Sequence, residues 1–229
     1  MTADFMTTTS QKIQPAYTTK RNDISSLVPD TVKTVLDVGC STGSLGKNLK
    51  SQRDIEIIGI EYNSEAGEIA RQHLDKVFIG NLETLALEEI LTPNYFDCII
   101  FGDILEHLQD PWKILKSFLG FLKDDGVIIT SLPNVRHYTT IFDLVVRGRW
   151  PYRSRGIHDR THLRFFTRKN IQDLFNYAGL SIKEIRPIYR IRETHHPMNR
   201  HSKYVSLLPV GKEFFTFQYI ILGSKVKHE

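Results

Sequence analysis

The sequence predicts an α/β fold on a mostly parallel sheet, and three observations carry that prediction. Short apolar runs of strand length alternate with amphipathic segments up to about residue 131, as βαβ units do. A glycine-rich turn directly follows the first run and opens the first helical segment. No apolar run approaches the ~20 residues that cross a bilayer; candidates such as Tyr219-Ile220-Ile221-Leu222 are strand-sized. The 229 residues are 41% hydrophobic and 24% charged, which excludes a disordered chain, a collagen-like repeat and a coiled coil.

Each element has its own signal. Val35-Leu36-Asp37-Val38 is a buried-strand run, followed by the turn and an amphipathic stretch to about Lys50. Residues 55–60 form the second strand, and Ser64 caps a helix to about His73. Residues 77–79 are a short strand and 83–91 a helix. Residues 96–101 are a fourth strand, and Pro111 opens a helix to Leu122 that ends in the Asp124-Asp125-Gly126 turn. Residues 127–131 are the fifth strand. The rhythm then breaks: 135–146 reads as a helix, and 147–164 is basic, aromatic and punctuated by Gly and Pro. A helix capped by Thr167 runs to Ala178 and is closed by Gly179. Residues 180–188 and 214–222 bring the strand count to seven, separated by a His/Arg-rich insertion at 189–212.

The net charge of +4 is unevenly spread. Residues 136–203 hold fifteen Lys/Arg against five Asp/Glu, and six of the nine histidines. Such a basic segment on a mildly acidic body attracts phosphate, carboxylate, nucleic acid or an anionic membrane surface. Two cysteines, Cys40 and Cys98, make no disulfide framework, and the Thr-rich start has no secretion-signal pattern, so a cytoplasmic location is expected. No His or Cys pattern shows metal-ligand spacing. His195, His196 and His201 have only Glu193 nearby, so no metal is expected.

The turn Gly39-Cys40-Ser41-Thr42-Gly43 lets a ligand approach the backbone and the helix N-terminus. Its spacing, Gly-x-x-x-Gly-x-x-Gly, differs from the Gly-x-Gly-x-x-Gly of dinucleotide binders. Glu61 ends the second strand about twenty residues on, where an acid can accept both hydroxyls of a ribose. No phosphate-cradling Gly-x-x-x-x-Gly-Lys-Ser/Thr occurs.

These residues resemble class I S-adenosylmethionine-dependent methyltransferases. Leu36 to Gly43 is similar to that family's first motif, Glu61 to its ribose-binding acid, and Gly80-Asn81-Leu82-Glu83 to its adenine-contacting position. Residues 96–108 resemble its fourth strand and following turn. The resemblance implies a Rossmann-like seven-stranded sheet with an antiparallel last strand and helices on both faces. It implies S-adenosylmethionine as cofactor, leaving as S-adenosylhomocysteine, held by Asp37, Gly39, Cys40, Ser41, Gly43, Glu61, Tyr62, Asn81, Leu82, Gly102 and Asp103. Arg21 lies before the first strand, with Tyr17, in a segment that in the resembling families folds over the cofactor, so it is a candidate to meet the cofactor's carboxylate; a plain helix-surface role is the alternative. Residues 1–20 are expected to be a flexible segment and 21–229 one methyltransferase domain, with 136–166 and 189–212 as insertions on the substrate side.

The acceptor is narrowed by what is missing. No Asp/Asn-Pro-Pro-Tyr/Phe follows the fourth strand, against amino methylation of adenine or glutamine, and neither cysteine is placed as a nucleophile on a base. The turn Leu105-Glu106-His107-Leu108 with Asp110-Pro111 resembles ubiquinone-pathway O-methyltransferases and those of surface-polysaccharide synthesis; residues 131–167 resemble the second group more. The implied acceptor is a hydroxyl of an anionic nucleotide- or lipid-linked sugar, clamped by Arg136, Arg160 and Arg164. His107, His158, Asp159 and His162 are the candidate base and its orienting carboxylate; His107 and His162 can equally serve as packing or loop anchors. Trp150-Pro151-Tyr152 reads equally as a platform for sugar or lipid and as core. DNA is not expected as a partner and RNA is disfavoured; a peripheral membrane contact is compatible with the segment's charge, and the sequence leaves the oligomeric state open, a dimer included. Alternatives are a quinol or phenol O-methyltransferase, an RNA methyltransferase and a non-catalytic binding module.

Overall fold

The computed structural model describes residues 21–192, 196–208 and 211–226. The segment 1–20, with Tyr17, and the residues Glu193 and His195 lie outside the described residues. One sheet carries seven strands in the order β3-β2-β1-β4-β5-β7-β6. These are β1 (Thr34–Val38), β2 (Glu56–Glu61), β3 (Lys76–Ile79), β4 (Phe96–Gly102), β5 (Leu122–Pro133), β6 (Leu180–Tyr189) and β7 (Thr216–Lys225). The first five pair in parallel, and β7 runs antiparallel to both β5 and β6.

The apolar runs are continuous because both faces of the sheet are covered. Leu36, Val38, Ile99, Phe101, Ile128 and Ile221 point into one core, and Val35, Cys98, Ile100, Ile129 and Ile220 into the other. The alternation along each strand is the period of two that a pleated strand imposes. The helices are α1 (Asn22–Ser25), α2 (Ser44–Lys50), α3 (Ser64–Ala70), α4 (Leu87–Ile90), α5 (Pro111–Ser117), α6 (Tyr138–Val145) and α7 (Arg168–Ala178). The expected stop and start signals hold at α7: Thr167 and Asn170 form a capping box, and Gly179 closes the helix at φ +81°.

Several boundaries differ from the sequence expectation; the helix opened by Pro111 ends at Ser117 and the last strand runs Thr216–Lys225. Asn63, not Ser64, caps α3, accepting from the Ala66 N–H at 2.9 Å. The 83–91 helix shrinks to α4 because the Asn81 side chain accepts from the Glu83 N–H and starts a turn instead. β5 begins at Leu122, and the Asp124-Asp125-Gly126 turn is absorbed as an irregularity between the pairs Phe96–Leu122 and Cys98–Val127. α6 starts only at Tyr138, since Asn134 bridges to Phe166 and His137 caps the helix. Within the 189–212 insertion, Pro197–Leu207 winds as a 3₁₀ run.

β1 pairs with β2 on one side and β4 on the other, so the loops leaving β1 and β4 diverge. The crevice opened at the carboxyl ends of β1 and β4 is where open α/β sheets bind ligands.

Candidate active site

The loop after β1 is shaped by its glycines. Gly39 and Gly43 take φ of +76° and +73°, and Ser41 between them takes +48°. A Cβ on Gly43 would sit 3.2 Å from the Ala70 Cα, so the turn is closed to side chains on that side as well. The Gly39 and Cys40 N–H groups both donate to the Ile60 carbonyl, tying the loop to β2. Glu61 ends β2 with its carboxylate fixed: one oxygen accepts from Ser41 N–H and the other from Asn63 N–H, each at 2.8 Å. Its remaining lone pairs are left for a diol. Asp37 is buried, and its Oδ2 has no hydrogen-bond partner among the described residues. Burial pushes its carboxyl up to about 7, with Arg21 opposing and Glu61 adding to the shift. An orphaned buried carboxylate oxygen beside a glycine cradle and an oriented acid suits an adenosine cofactor with a charged tail.

A second network closes the crevice at β4 and β5. Asp103, at φ +58°, accepts from Arg21 Nη1 at 2.6 Å and from the Ser131 hydroxyl at 2.6 Å, and Gln218 on β7 donates to both Asp103 and Ser131. Arg21 also pairs with Asp23 at 3.1 Å. Arg21 therefore stands at the crevice, but its guanidinium is shared between two carboxylates, and meeting a cofactor's carboxylate requires it to exchange partners.

The third part is the 3₁₀ turn Leu105–His107 with the loop that folds over it. Leu163 N–H and Arg164 N–H both donate to the Glu106 carbonyl at 2.9 Å, fastening the loop to the turn. This brings His162 against His107, ring edge to face with centroids 4.7 Å apart, and places His162 Nε2 3.9 Å from Glu106 Oε1. His107 Nδ1 faces the Thr161 carbonyl at 3.3 Å and hydroxyl at 3.1 Å, and that hydroxyl donates to Asp159 at 2.7 Å. Asp159 thus reaches His107 through Thr161. Burial lowers the pKa of both imidazoles, so each is held neutral around neutral pH.

The structure redistributes the other sequence candidates. His158 is fully buried against the edge of Trp150, so it packs inside the loop rather than facing the crevice. Arg136 pairs with Glu213 and lies over Phe214; Arg164 donates to the Gln109 carbonyl and lies over Trp112. Arg164 thus braces the loop against the turn after β4, and Arg136 is tied to the segment before β7, whereas Arg160 is exposed. Cys40 buries its sulfur against Gly59, so only its backbone lines the loop. Burial pushes the Cys40 and Cys98 thiols up, consistent with neither acting as a nucleophile. Tyr62 is exposed and Leu82 buried; Asn81 spends its carbonyl oxygen on the Glu83 N–H, leaving its amide hydrogens. Gly102 faces Arg21 and Ile24. His196 accepts from the Met198 N–H, and His201 accepts from Arg200 and stacks on Tyr204.

Sequence reasoning missed Glu106 as a functional group. It is 1% exposed with Oε2 lacking a hydrogen-bond partner, and burial, with Asp103 adding, raises its pKa well above the ordinary carboxylate range. An acid beside His107 in a turn was visible in the sequence; its burial was not.

An open sheet of this strand order, with a glycine cradle after β1 and an acid closing β2, defines a nucleoside-binding α/β enzyme. A family model described as a methyltransferase domain matches residues 11–185, and the chain belongs to that family. It is similar to ubiquinone biosynthesis O-methyltransferases: 27% identical over 184 residues to that of Pseudomonas paraeruginosa (78% of this chain, 75% of that one). With that of Acinetobacter baylyi the identity is 24% over 175 residues (74% and 70%). Among solved structures, a SAM-dependent methyltransferase from Thermotoga maritima superposes with a TM-score of 0.63 at 22% identity, covering 92% of this chain and 89% of that one. Magnesium protoporphyrin IX methyltransferase from Synechocystis, with bound SAH, superposes at 0.56 and 15% identity, covering 84% and 74%. The protein is an S-adenosylmethionine-dependent methyltransferase.

Proposed function

We propose that the enzyme methylates a hydroxyl of an aromatic, quinol- or phenol-type small molecule. The observation that carries this is the pair of neutral imidazoles, His107 and His162, at the carboxyl end of β4, beneath a loop that also forms an apolar pocket of about 270 Å³ from Val135, Trp150, Tyr152 and Phe165. Such a pocket accepts an aromatic ring or an apolar tail better than a sugar. The relatives, named for ubiquinone biosynthesis, favour the same class. The sugar acceptor expected from the sequence has no support among them, and two of its three arginine clamps are engaged elsewhere, Arg136 by Glu213 and Arg164 by the Gln109 carbonyl.

Bound S-adenosylmethionine supplies a methyl group already activated on a sulfonium. Glu61, the Gly39–Gly43 backbone, Asp37 and Asn81 would hold it, and Arg21 would meet its carboxylate after leaving Asp103. The chain's own work is then to place the acceptor oxygen in line with the methyl carbon and to exclude water. The transfer would form the O–C bond as the C–S bond breaks, with that bond's electron pair left on sulfur. The hydroxyl proton passes to a neutral imidazole, with Asp159 orienting His107 through Thr161.

The test is methyl transfer from labelled S-adenosylmethionine to a panel of catechols and quinols, nucleotide- and lipid-linked sugars, and total RNA, with Glu61→Ala as control. Transfer to quinols or catechols, lost in the control, is expected. Transfer confined to phosphorylated sugars or to RNA would overturn the acceptor class while leaving the cofactor site standing.

A further inference from the structure

The loop over β4 gathers three metal-ligating side chains that no sequence spacing announced. One ligand atom from each of Glu106, His107 and His162 lies within 4.8 Å of the other two. Glu106 contributes a carboxylate that is 1% exposed, and its Oε2 has no hydrogen-bond partner among the described residues. A buried carboxylate oxygen left unmatched is costly unless a proton or a cation compensates it.

The surroundings of the imidazoles favour a cation. His107 Nδ1 faces the Thr161 carbonyl at 3.3 Å, and His162 Nδ1 faces the Ile157 carbonyl at 3.2 Å. A carbonyl oxygen only accepts, so each ring carries its proton on Nδ1 and presents the lone pair of Nε2. A second-shell carbonyl on one ring nitrogen with the other left bare is the usual posture of a metal-ligating histidine. The Thr161 hydroxyl, which donates to Asp159, gives His107 a further acceptor on the same side.

We propose that Glu106, His107 and His162 form a site for a divalent first-row transition ion of the Zn²⁺, Mn²⁺ or Fe²⁺ class. Two imidazoles and one carboxylate suit those ions better than Mg²⁺ or Ca²⁺, which select oxygen. Ligands bonded at about 2.0–2.2 Å to a tetrahedral ion sit roughly 3.4 Å apart. The 3.9 Å between Glu106 Oε1 and His162 Nε2 needs to close by about half an ångström, and the wider separations of the trio, up to 4.8 Å, need side-chain rotation onto the ion. Three protein ligands leave a coordination position open, the mark of a catalytic rather than a structural site.

The role of the open position rests on the acceptor reading above; the binding site does not. A hydroxyl bound there becomes more acidic, releases its proton to water and meets the methyl as an ion-paired oxyanion. The imidazole lone pairs would then serve the metal, so the two uses of His107 and His162 exclude each other.

Chelator-stripped full-length protein titrated with Co²⁺ and followed by visible absorption separates them without any acceptor. One equivalent is expected to bind with ligand-field bands, displaceable by Zn²⁺. Affinity should fall at least tenfold in His162→Ala and in the near-isosteric Glu106→Gln, whose far-UV circular dichroism should match the parent. Absence of Co²⁺ binding by the unmodified protein up to about 1 mM would overturn the site, whatever the methyl-transfer panel shows. Binding retained at full strength in both folded variants would place the ion elsewhere and overturn it equally.

Discussion

Asp37 and Asp97 are carboxylates on neighbouring strands of the same sheet, and they live in opposite conditions. Asp97 stands at the amino edge, where β4 begins. It accepts from the Lys33 and Thr34 N–H groups at 2.9 Å and from Lys123 Nζ at 2.7 Å. Burial alone would raise its pKa, but Lys123 and the two N–H groups outweigh it and hold the carboxyl at about 2. Asp37 stands at the carboxyl edge, buried, with one oxygen unmatched and its carboxyl raised to about 7. Backbone strain leans the same way: of the four non-glycine residues at positive φ among the described residues, Arg21, Ser41 and Asp103, at +41°, +48° and +58°, lie at the carboxyl edge, and Asn94, at +51°, lies in the turn before β4 at the amino edge. The amino edge is built to be stable. The carboxyl edge holds groups in costly states because a ligand is meant to complete them.

The contrast can be broken by substitution. The largest effect is expected for Glu61→Ala, which should weaken S-adenosylmethionine binding about 100-fold by calorimetry, roughly 3 kcal/mol. Asp97→Ala should leave that affinity within about twofold while lowering the free energy of urea unfolding by about 2–3 kcal/mol, since it orphans two N–H groups and a Lys. A change in cofactor affinity as large as that of Glu61→Ala would erase the distinction between the edges.

Asp37→Asn should act in the reverse sense. With its native pKa raised from the ordinary 3.8 to about 7, Asp37 binds its proton more tightly in the folded chain. Stability is therefore undiminished below about pH 4 and is lost as pH rises toward 7. The variant should remove that loss, raising Tm at pH 8 and leaving it unchanged at pH 4, by scanning calorimetry. For Asp97 the sign reverses: its stabilisation is present above pH 3.8 and is lost as pH falls through about 2.

The smallest effects separate two glycines of similar backbone. Gly43→Ala meets the Ala70 Cα at 3.2 Å and should cost about 1–2 kcal/mol, whereas Gly148→Ala, at φ +60° with open space around it, should cost about 1 or less. Equal costs would mean that φ alone, and not the close packing of the cofactor loop, sets the requirement for glycine.

Much of this was determined by the sequence itself. The alternation of apolar runs with helical segments specifies the parallel strands, because local periodicity reports which faces are buried. Gly39, Gly43 and Glu61 mark the candidate cofactor crevice, since backbone freedom and an acid at a strand end are properties of single positions. Capping, too, is local, which is why Thr167 and Gly179 were legible, although Asn63 displaced Ser64 by one residue. Only the tertiary structure decided the rest. Whether Arg136 and Arg164 meet a substrate or brace a loop depends on Glu213 and the Gln109 carbonyl, far away in the chain. His158 and His162 sit four residues apart and look alike in sequence, yet one packs under Trp150 and the other meets His107. Glu106 becomes a buried, unmatched carboxylate only when Leu163 and Arg164 close over its carbonyl. Burial and partnership between distant segments are created by the fold, and the chemistry of this crevice depends on both.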